Sequence, residues 1–270
     1  MKKLGDIYRT ALITGGTSGL GLAFSEMLAG EGVKVVSVSR NPDLLPKMEG
    51  LTGVSLDLAN MASVSDFVEG YLLESGVPDI LVNNAGYGTF SGWSQFPEEE
   101  IVRQIDVLLA APIRLCRAFA PKMADRGSGG IVNISSIAGM FSLPYMPLYN
   151  AAKAGLSAFS ASLSLEYKDI PFVTDFRLGD FRTNFNEAVK KESVLENDYR
   201  QGAAWSQIVK QLDESPDPIV AARALRRVLC RRQGGIIYSG GFFQARVAPL
   251  LFRLTPSGFL RAVLRYWYKL

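Results

Sequence analysis

Seven short runs rich in β-branched and apolar residues recur along this chain, each set apart from the next by a longer stretch. The runs are Thr10–Thr14, Lys34–Ser39, 53–56, Ile80–Asn83, 130–135, Phe172–Leu178 and Gly235–Ser239. Between them, helical periodicity covers 19–31, 61–75, 98–123, 148–168 and 218–230. Strand, helix and strand in repetition build βαβ units, whose strands lie parallel in one sheet with helices on both faces. The 270 residues fit one such domain, since single α/β domains often run to about 250 residues.

The chain reads as residues 1–241 forming that domain, with 242–270 as a basic amphipathic C-terminal extension. Residues 183–216 are polar, charged and weakly periodic, too long for a simple connection, and are expected to form a helical lid or substrate loop. Pro97 followed by Glu98, Glu99 and Glu100 is a helix start, because acids in the first turn favour the positive end of the helix dipole. Apolar residues make up 48% and charged residues 20%, the balance of a packed protein rather than a disordered one.

Histidine is absent, which removes the commonest metal ligand and excludes a Ser-His-Asp mechanism within the chain; no metal is expected. Cys116 and Cys230 sit in helical patterns with no disulfide or metal spacing, so a reducing, cytoplasmic setting is expected. Asp6 and Arg9 interrupt what would be the apolar core of a signal peptide.

Thr14-Gly15-Gly16-Thr17-Ser18-Gly19-Leu20-Gly21 follows the first apolar run and opens the first helical pattern. Glycines at 15, 19 and 21 permit a tight turn and close approach of backbone to a pyrophosphate, and the helix N-terminus adds partial positive charge. Gly15, Thr17, Ser18, Gly19, Leu20 and Gly21 are therefore the expected cofactor loop of a Rossmann-type, doubly wound sheet. The second run ends at Ser39-Arg40, where an acid would accept hydrogen bonds from a ribose 2′-hydroxyl. A hydroxyl and a fixed cation instead suit the 2′-phosphate of NADP, with NAD still possible. Asp57 and Leu58 would meet adenine, and Asn84, Ala85 and Gly86 would lie against the cofactor at the end of the fourth run.

Tyr149-Asn150-Ala151-Ala152-Lys153 sets a phenol and an ammonium on one helix face. A nearby cation favours phenolate and should draw the tyrosine pKa down from about 10 toward the range of a general acid or base. Ser136 ends the fifth run, thirteen residues before Tyr149, with Ser135 as its neighbouring alternative.

These motifs, in order and spacing, resemble the short-chain dehydrogenase/reductase family over roughly residues 7 to 241. The resemblance implies that Tyr149 exchanges a proton with the substrate oxygen, Lys153 binds the nicotinamide ribose and Ser136 holds the carbonyl. It also implies that Gly179 and Thr183 hold the nicotinamide end. Two departures stand out. Where the family has a catalytic asparagine this chain has Leu108, with Asp106 one helical step off the proper face, and Leu178-Gly179-Asp180-Phe181-Arg182-Thr183 lacks the family's proline.

The expected activity is NADP-dependent reduction of a carbonyl or oxidation of an alcohol. A rival is a nucleotide-binding sensor or scaffold whose turnover Leu108 has impaired. The substrate pocket should come from 87–93, 140–146 and 183–216. Phe141, Leu143, Tyr145, Met146 and Phe185 make it apolar, Arg182 is its single cation, and a lipophilic substrate follows.

From Gly240 onward Arg246, Arg253, Arg261, Arg265 and Lys269 have no acid among them, and taking those five from the formal +3 leaves −2 for the rest. The main body thus has no call for nucleic acid. Ser257 is the expected N-cap of a helix with Phe259, Leu260, Val263, Leu264, Tyr266, Trp267 and Leu270 on one stripe and Arg261, Arg265 and Lys269 on another. It is too short and too charged to cross a bilayer. Such a helix either rests on an anionic membrane surface or covers its own domain or a second subunit of a homo-oligomer.

Overall fold

The computed structural model describes residues 2–183, 190–191 and 198–270. Its main elements, in chain order, are β1 (Thr10–Thr14), α1 (Gly19–Gly30), β2 (Lys34–Ser39), β3 (Leu51–Ser55), α2 (Met61–Glu74), β4 (Ile80–Asn83), β5 (Thr89–Phe90), α3 (Glu98–Ile105) and α4 (Ala111–Arg126). There follow β6 (Gly130–Ser136), α5 (Pro147–Tyr167), β7 (Phe172–Leu178), β8 (Lys190–Lys191), α6 (Tyr199–Asp213), α7 (Pro218–Arg231), β9 (Gly235–Ser239), α8 (Ala248–Leu254) and α9 (Ser257–Trp267).

Seven strands form one sheet in the order β3-β2-β1-β4-β6-β7-β9, and every pairing in it is parallel. The chain therefore has the doubly wound Rossmann-type fold. It starts at the centre, builds out to β3, then returns past β1 to β4, and the reversal opens a crevice at the carboxyl ends of β1 and β4.

Strand periodicity divides the core. Ile13, Ile80, Val132 and Phe176 face α1 and α7, where Phe24, Leu28, Leu225 and Leu229 pack on them. Leu12, Leu81 and Ile131 point the other way, onto Tyr71 of α2 and Leu115 and Phe119 of α4. Each large side chain so buried contributes about 1.5–3 kcal/mol, which makes these two layers the rigid support of the crevice.

Several boundaries differ from the sequence expectation. β3 starts at Leu51 rather than 53, because Leu51 and Thr52 already pair with Val35 and Val36. The expected helix over 98–123 is broken by a π-turn at Asp106–Ala110. Pro112 explains it: proline has no N–H for the Leu108 carbonyl four residues back, and its ring crowds that oxygen. Pro97 does stand at the N-cap with three acids in the first turn. Pro256, not Ser257, occupies the cap position of α9, and Ser257 is its first helical residue.

The expected lid contains α6, and two-residue β8 pairs with β5. Residues 184–189 and 192–197, Phe185 among them, lie outside the described residues. The C-terminal extension turns back on the body. Tyr268 is buried, with Leu264 and Leu270 beside it, in a cluster with Phe90, Met146, Ala204, Ile208 and Leu212.

Candidate active site

The crevice begins with the loop after β1. Gly15 and Gly19 have positive φ, +69 and +52, which glycine adopts without strain. At Gly21 a Cβ would come 2.1 Å from the Gly15 carbonyl oxygen and 2.4 Å from Asn84 Nδ2, so the loop closes only around a bare backbone. Asn84 fastens this loop to the end of β4: its Nδ2 donates to the Thr14 and Gly15 carbonyls at 3.0 and 3.1 Å. The Thr14 hydroxyl in turn accepts from the backbone N–H groups of Asn84 and Ala85, each at 3.0 Å. The side chain of Asn84 is thus a brace, which leaves backbone and small residues to face a ligand. Thr17, Ser18 and Leu20 lie in this turn and the first turn of α1, and Thr183 reaches over it, its Cβ 3.3 Å from where a Cβ of Gly19 would sit.

At the tip of β2 the Ser39 hydroxyl oxygen is buried without a hydrogen-bond partner among the described residues, and Arg40 is exposed beside it. A bare-backbone cradle and an orphaned hydroxyl at this rim fit a dinucleotide. Asp57 meets a neighbour the sequence did not announce, since Arg103 of α3 pairs with its carboxylate at 3.1 Å. Burial pushes the Asp57 carboxyl up, but the Ala59 N–H and the Arg103 guanidinium outweigh that and hold it below the usual range. Leu58 is buried behind it in the core.

On the far side of the crevice, β6 and α5 bring Ser136, Tyr149 and Lys153 together. The neighbouring serines part company here. Ser135 is hydrogen-bonded to the buried Asp175 carboxylate, whereas the Ser136 hydroxyl is hydrogen-bonded to Tyr149. Lys153 is 4% exposed, its Nζ donates to the Ile134 carbonyl at 2.7 Å, and it stands 5.9 Å from the centroid of the Tyr149 ring.

The electrostatics differ from the simple expectation of a phenol acidified by its lysine. Burial pushes Tyr149 up to about 12, against the pull of the Ser136 hydrogen bond, and the charge of Asp180 adds to the rise. Burial likewise pushes Lys153 down to about 8, with the Asp175 carboxylate opposing. Withdrawal from water is the largest influence on both the half-buried phenol and the buried ammonium, and in each it favours the neutral form. The phenol consequently holds its proton at neutral pH, the state a general acid needs.

Leu108 is fully buried in the π-turn, 3.4 Å from where a Cβ of Gly86 would sit, and the same point lies 3.7 Å from Lys153 Nζ. An apolar side chain thus packs close to the ammonium where the family has an amide. Gly179 continues from β7, and a Cβ there would lie 2.3 Å from Gln244 Oε1. Arg182, the expected pocket cation, is exposed and stands 3.8 Å from Asp217.

Beyond Tyr149 the walls are apolar. Phe90 packs on Tyr145 and Trp205 with ring centroids 5.3 and 4.9 Å apart, and Tyr149 itself borders the cluster around Met146 and Tyr268. Phe141 turns outward onto Phe252 of α8. A separate groove of about 660 Å³ lies along the other side of α5, lined by Trp93, Gly139, Leu143, Tyr145, Asn150 and Ala154, and includes none of Ser136, Tyr149 and Lys153.

Sequence reasoning missed Arg103, Asp175, Gln244 and Tyr268. Only Asp175 carried a signal, as an acid inside the otherwise apolar start of β7.

A glycine cradle at the switch point of a doubly wound sheet, with Ser136, Tyr149 and Lys153 across from it, defines the class of nicotinamide-dependent oxidoreductases. Residues 9–193 match the short chain dehydrogenase family, and the chain belongs to it. It is 30% identical to a 3-ketodihydrosphingosine reductase of Bacteroides thetaiotaomicron over 95% of this chain and 97% of that one. A short-chain dehydrogenase from Streptomyces avermitilis superposes with a TM-score of 0.80 at 27% identity, covering 97% of this chain and 96% of its own. A short-chain dehydrogenase from Sphingobium yanoikuyae in complex with NADPH does so with 0.73 at 26% identity, covering 95% of each chain.

Proposed function

We propose that this protein is an NADPH-dependent reductase of a ketone carried on a long hydrocarbon chain. The observation that carries the reading is the Ser136-Tyr149-Lys153 group set between the glycine cradle and an apolar cluster around Phe90, Met146 and Tyr268. When bound, NADPH supplies a hydride. Gly15, Thr17, Ser18, Gly19, Leu20 and Gly21 would hold its pyrophosphate, with Ser39 and Arg40 at the 2′-phosphate. Asp57 and Leu58 would border the adenine, and Asn84, Ala85, Gly86, Gly179 and Thr183 the nicotinamide half. The NADPH complex of the Sphingobium neighbour supports that cofactor choice.

Ser136 orients the ketone oxygen, and Tyr149, protonated at neutral pH, gives its proton to that oxygen as negative charge develops there. Lys153, beside the phenol, steadies the charge left on Tyr149. Burial keeps the phenol protonated at neutral pH, so the proton is in place for the reductive direction. The apolar surroundings of Tyr149 and the name of the Bacteroides relative both support a lipid ketone. The sensor reading is not favoured, because a site free of chemistry has no physical need for all three groups.

Loss of NADPH absorbance with long-chain 3-oxo lipids tests the proposal. Tyr149→Phe should lower kcat by about 100-fold or more while NADPH still quenches protein fluorescence. Undiminished turnover in that variant overturns the assignment.

The same reading extends to location. Among the described residues no helix is long and apolar enough to cross a membrane. Leu264 of α9 and Tyr268 just past it pack into the apolar cluster beside Tyr149, while Phe242, Phe243, Leu254, Phe259, Tyr266 and Trp267 are exposed on a segment without an acid. We place this face on an anionic bilayer from the cytoplasmic side, where a lipid substrate could pass to the cleft. Binding to phosphatidylserine vesicles, lost in Phe259→Glu, is expected; equal binding to neutral vesicles counts against it. Self-association is assigned to the outer edge of β9, where Ile236 is exposed, and light scattering tests it.

A further inference from the structure

Between the sheet and α5 lies a buried carboxylate that the proposed chemistry does not use. Asp175 of β7 is 2% exposed. Strand periodicity points it toward α5, together with Arg177 two residues on, since Phe176 between them packs into the opposite layer with α1. Its Oδ1 accepts from the Ser135 hydroxyl and, at 3.2 Å, from the Ser157 hydroxyl. Its Oδ2 accepts from Arg177 Nε at 2.7 Å.

Both serines border Lys153. Ser157 stands one turn further along α5, and Ser135 follows Ile134, whose carbonyl accepts from Lys153 Nζ at 2.7 Å. The carboxylate thus bridges the strand and the helix between which the ammonium is held. Arg177 is steadied in turn, its Nη1 3.3 Å from the Tyr238 hydroxyl of β9 and its guanidinium 5.8 Å from the centroid of that ring. Other titratable groups reach the surroundings of Lys153 from several elements: Tyr149 on its own helix, half-buried Asp106 in the π-turn, and Asp180 past β7, hydrogen-bonded to Gln244. From α3 comes Glu100, engaged by Tyr87 and Thr89, and from α4 Cys116, bonded to Asn83 and Asn133.

A buried ion holds its charge better when an opposite charge is fixed nearby. Asp175 opposes the effect of burial on Lys153, and Arg177, engaging the same carboxylate, weakens that field. We infer that Asp175 is a positioning residue for Lys153: braced by Ser135 and Ser157 and tempered by Arg177, it is the fixed counter-charge that keeps the ammonium charged beneath Tyr149. The inference deepens the reductase reading, on which its consequence for turnover rests, and sets the alkaline limit of that turnover from a strand that touches neither substrate nor cofactor.

Lysine labelled with 13C at Cε reports the ammonium without any turnover, the Lys153 signal being the one absent from Lys153→Met. In the wild type its titration midpoint should lie near the value to which burial lowers it, about 8. Asp175→Asn, which keeps an oxygen acceptor for both serines and removes the charge, should move the midpoint down by about one pH unit or more. Arg177→Met, which frees the carboxylate from its competing cation, should move it up. The alkaline limb of kcat/KM for NADPH oxidation with a long-chain ketone should follow the midpoint in each variant, whereas a purely structural brace would lower kcat and leave the profile in place. A midpoint unmoved in Asp175→Asn, one that moves the same way in both variants, or a limb that stays put while the midpoint moves overturns the inference. Should Asp175→Asn not fold, an unmoved midpoint in Arg177→Met overturns it equally. Opposite movements of the midpoint in a protein that turns over no ketone support the counter-charge and overturn the reductase reading alone.

Discussion

Replacing Lys153 by methionine should change stability in a pH-dependent way whose size follows from the burial of one ammonium. Burial lowers the folded-state pKa of Lys153 from 10.5 to about 8, with Asp175 opposing. The unfolded chain keeps that proton up to the ordinary value. Between those two values the unfolded state binds more protons, so wild-type stability rises with pH across this window. Below pH 8 both states are protonated and the full penalty is present. The gap between 10.5 and about 8, at about 1.36 kcal/mol for each tenfold change, makes it roughly 3 kcal/mol at pH 7 and below about 1 kcal/mol at pH 10.

Methionine fills the space without titrating. It forfeits the bond to the Ile134 carbonyl, a loss of about 1–3 kcal/mol that does not vary with pH. The unfolding free energy of Lys153→Met minus that of wild type should therefore fall by roughly 2–3 kcal/mol from pH 7 to pH 10, whatever its absolute offset. Urea melts at both pH values measure this directly, and tyrosine titration in the unfolded chain cancels in the difference. A difference that stays flat, or grows with pH, would refute the placement of a buried ammonium beneath Tyr149.

Two further outcomes bear on the cofactor rim and the missing amide. Arg40→Ala should weaken NADPH by about tenfold or more while affecting NADH less, because a charge-assisted bond is worth about 1.5–3 kcal/mol; equal losses in fluorescence titrations would remove the phosphate assignment. Leu108→Asn should lower unfolding free energy by about 2–4 kcal/mol in urea melts, since it sets an amide in a fully buried apolar place against Gly86. An unchanged midpoint would mean that the amide finds a partner there.

Much of the architecture was legible because it depends on local pattern. The runs that became β1, β2, β4, β7 and β9 alternate faces with the period of a pleated strand, and their spacing left parallel pairing as the consistent solution. The glycine loop and the Tyr149-Lys153 pair were legible for a similar reason, as they are contiguous or one helical turn apart. The π-turn was overlooked even though Pro112 was in plain view, since a proline near a helix start is usually harmless. Arg103, Gln244 and Tyr268 gave no sign at all, because each acts on a residue far away in the chain.

By itself the sequence determined the class of fold, the rim on which a ligand must sit and the groups able to move a proton, all of which follow from short-range spacing and backbone sterics. Only the tertiary structure decided which of two adjacent serines meets Tyr149 and that burial, not the lysine, governs the charge of the phenol. It also decided that Tyr268 of the C-terminal segment packs into the apolar cluster beside Tyr149 and that Gln244 is hydrogen-bonded to Asp180. Those outcomes depend on which distant surfaces exclude water from a given atom, and no local pattern of residues encodes that.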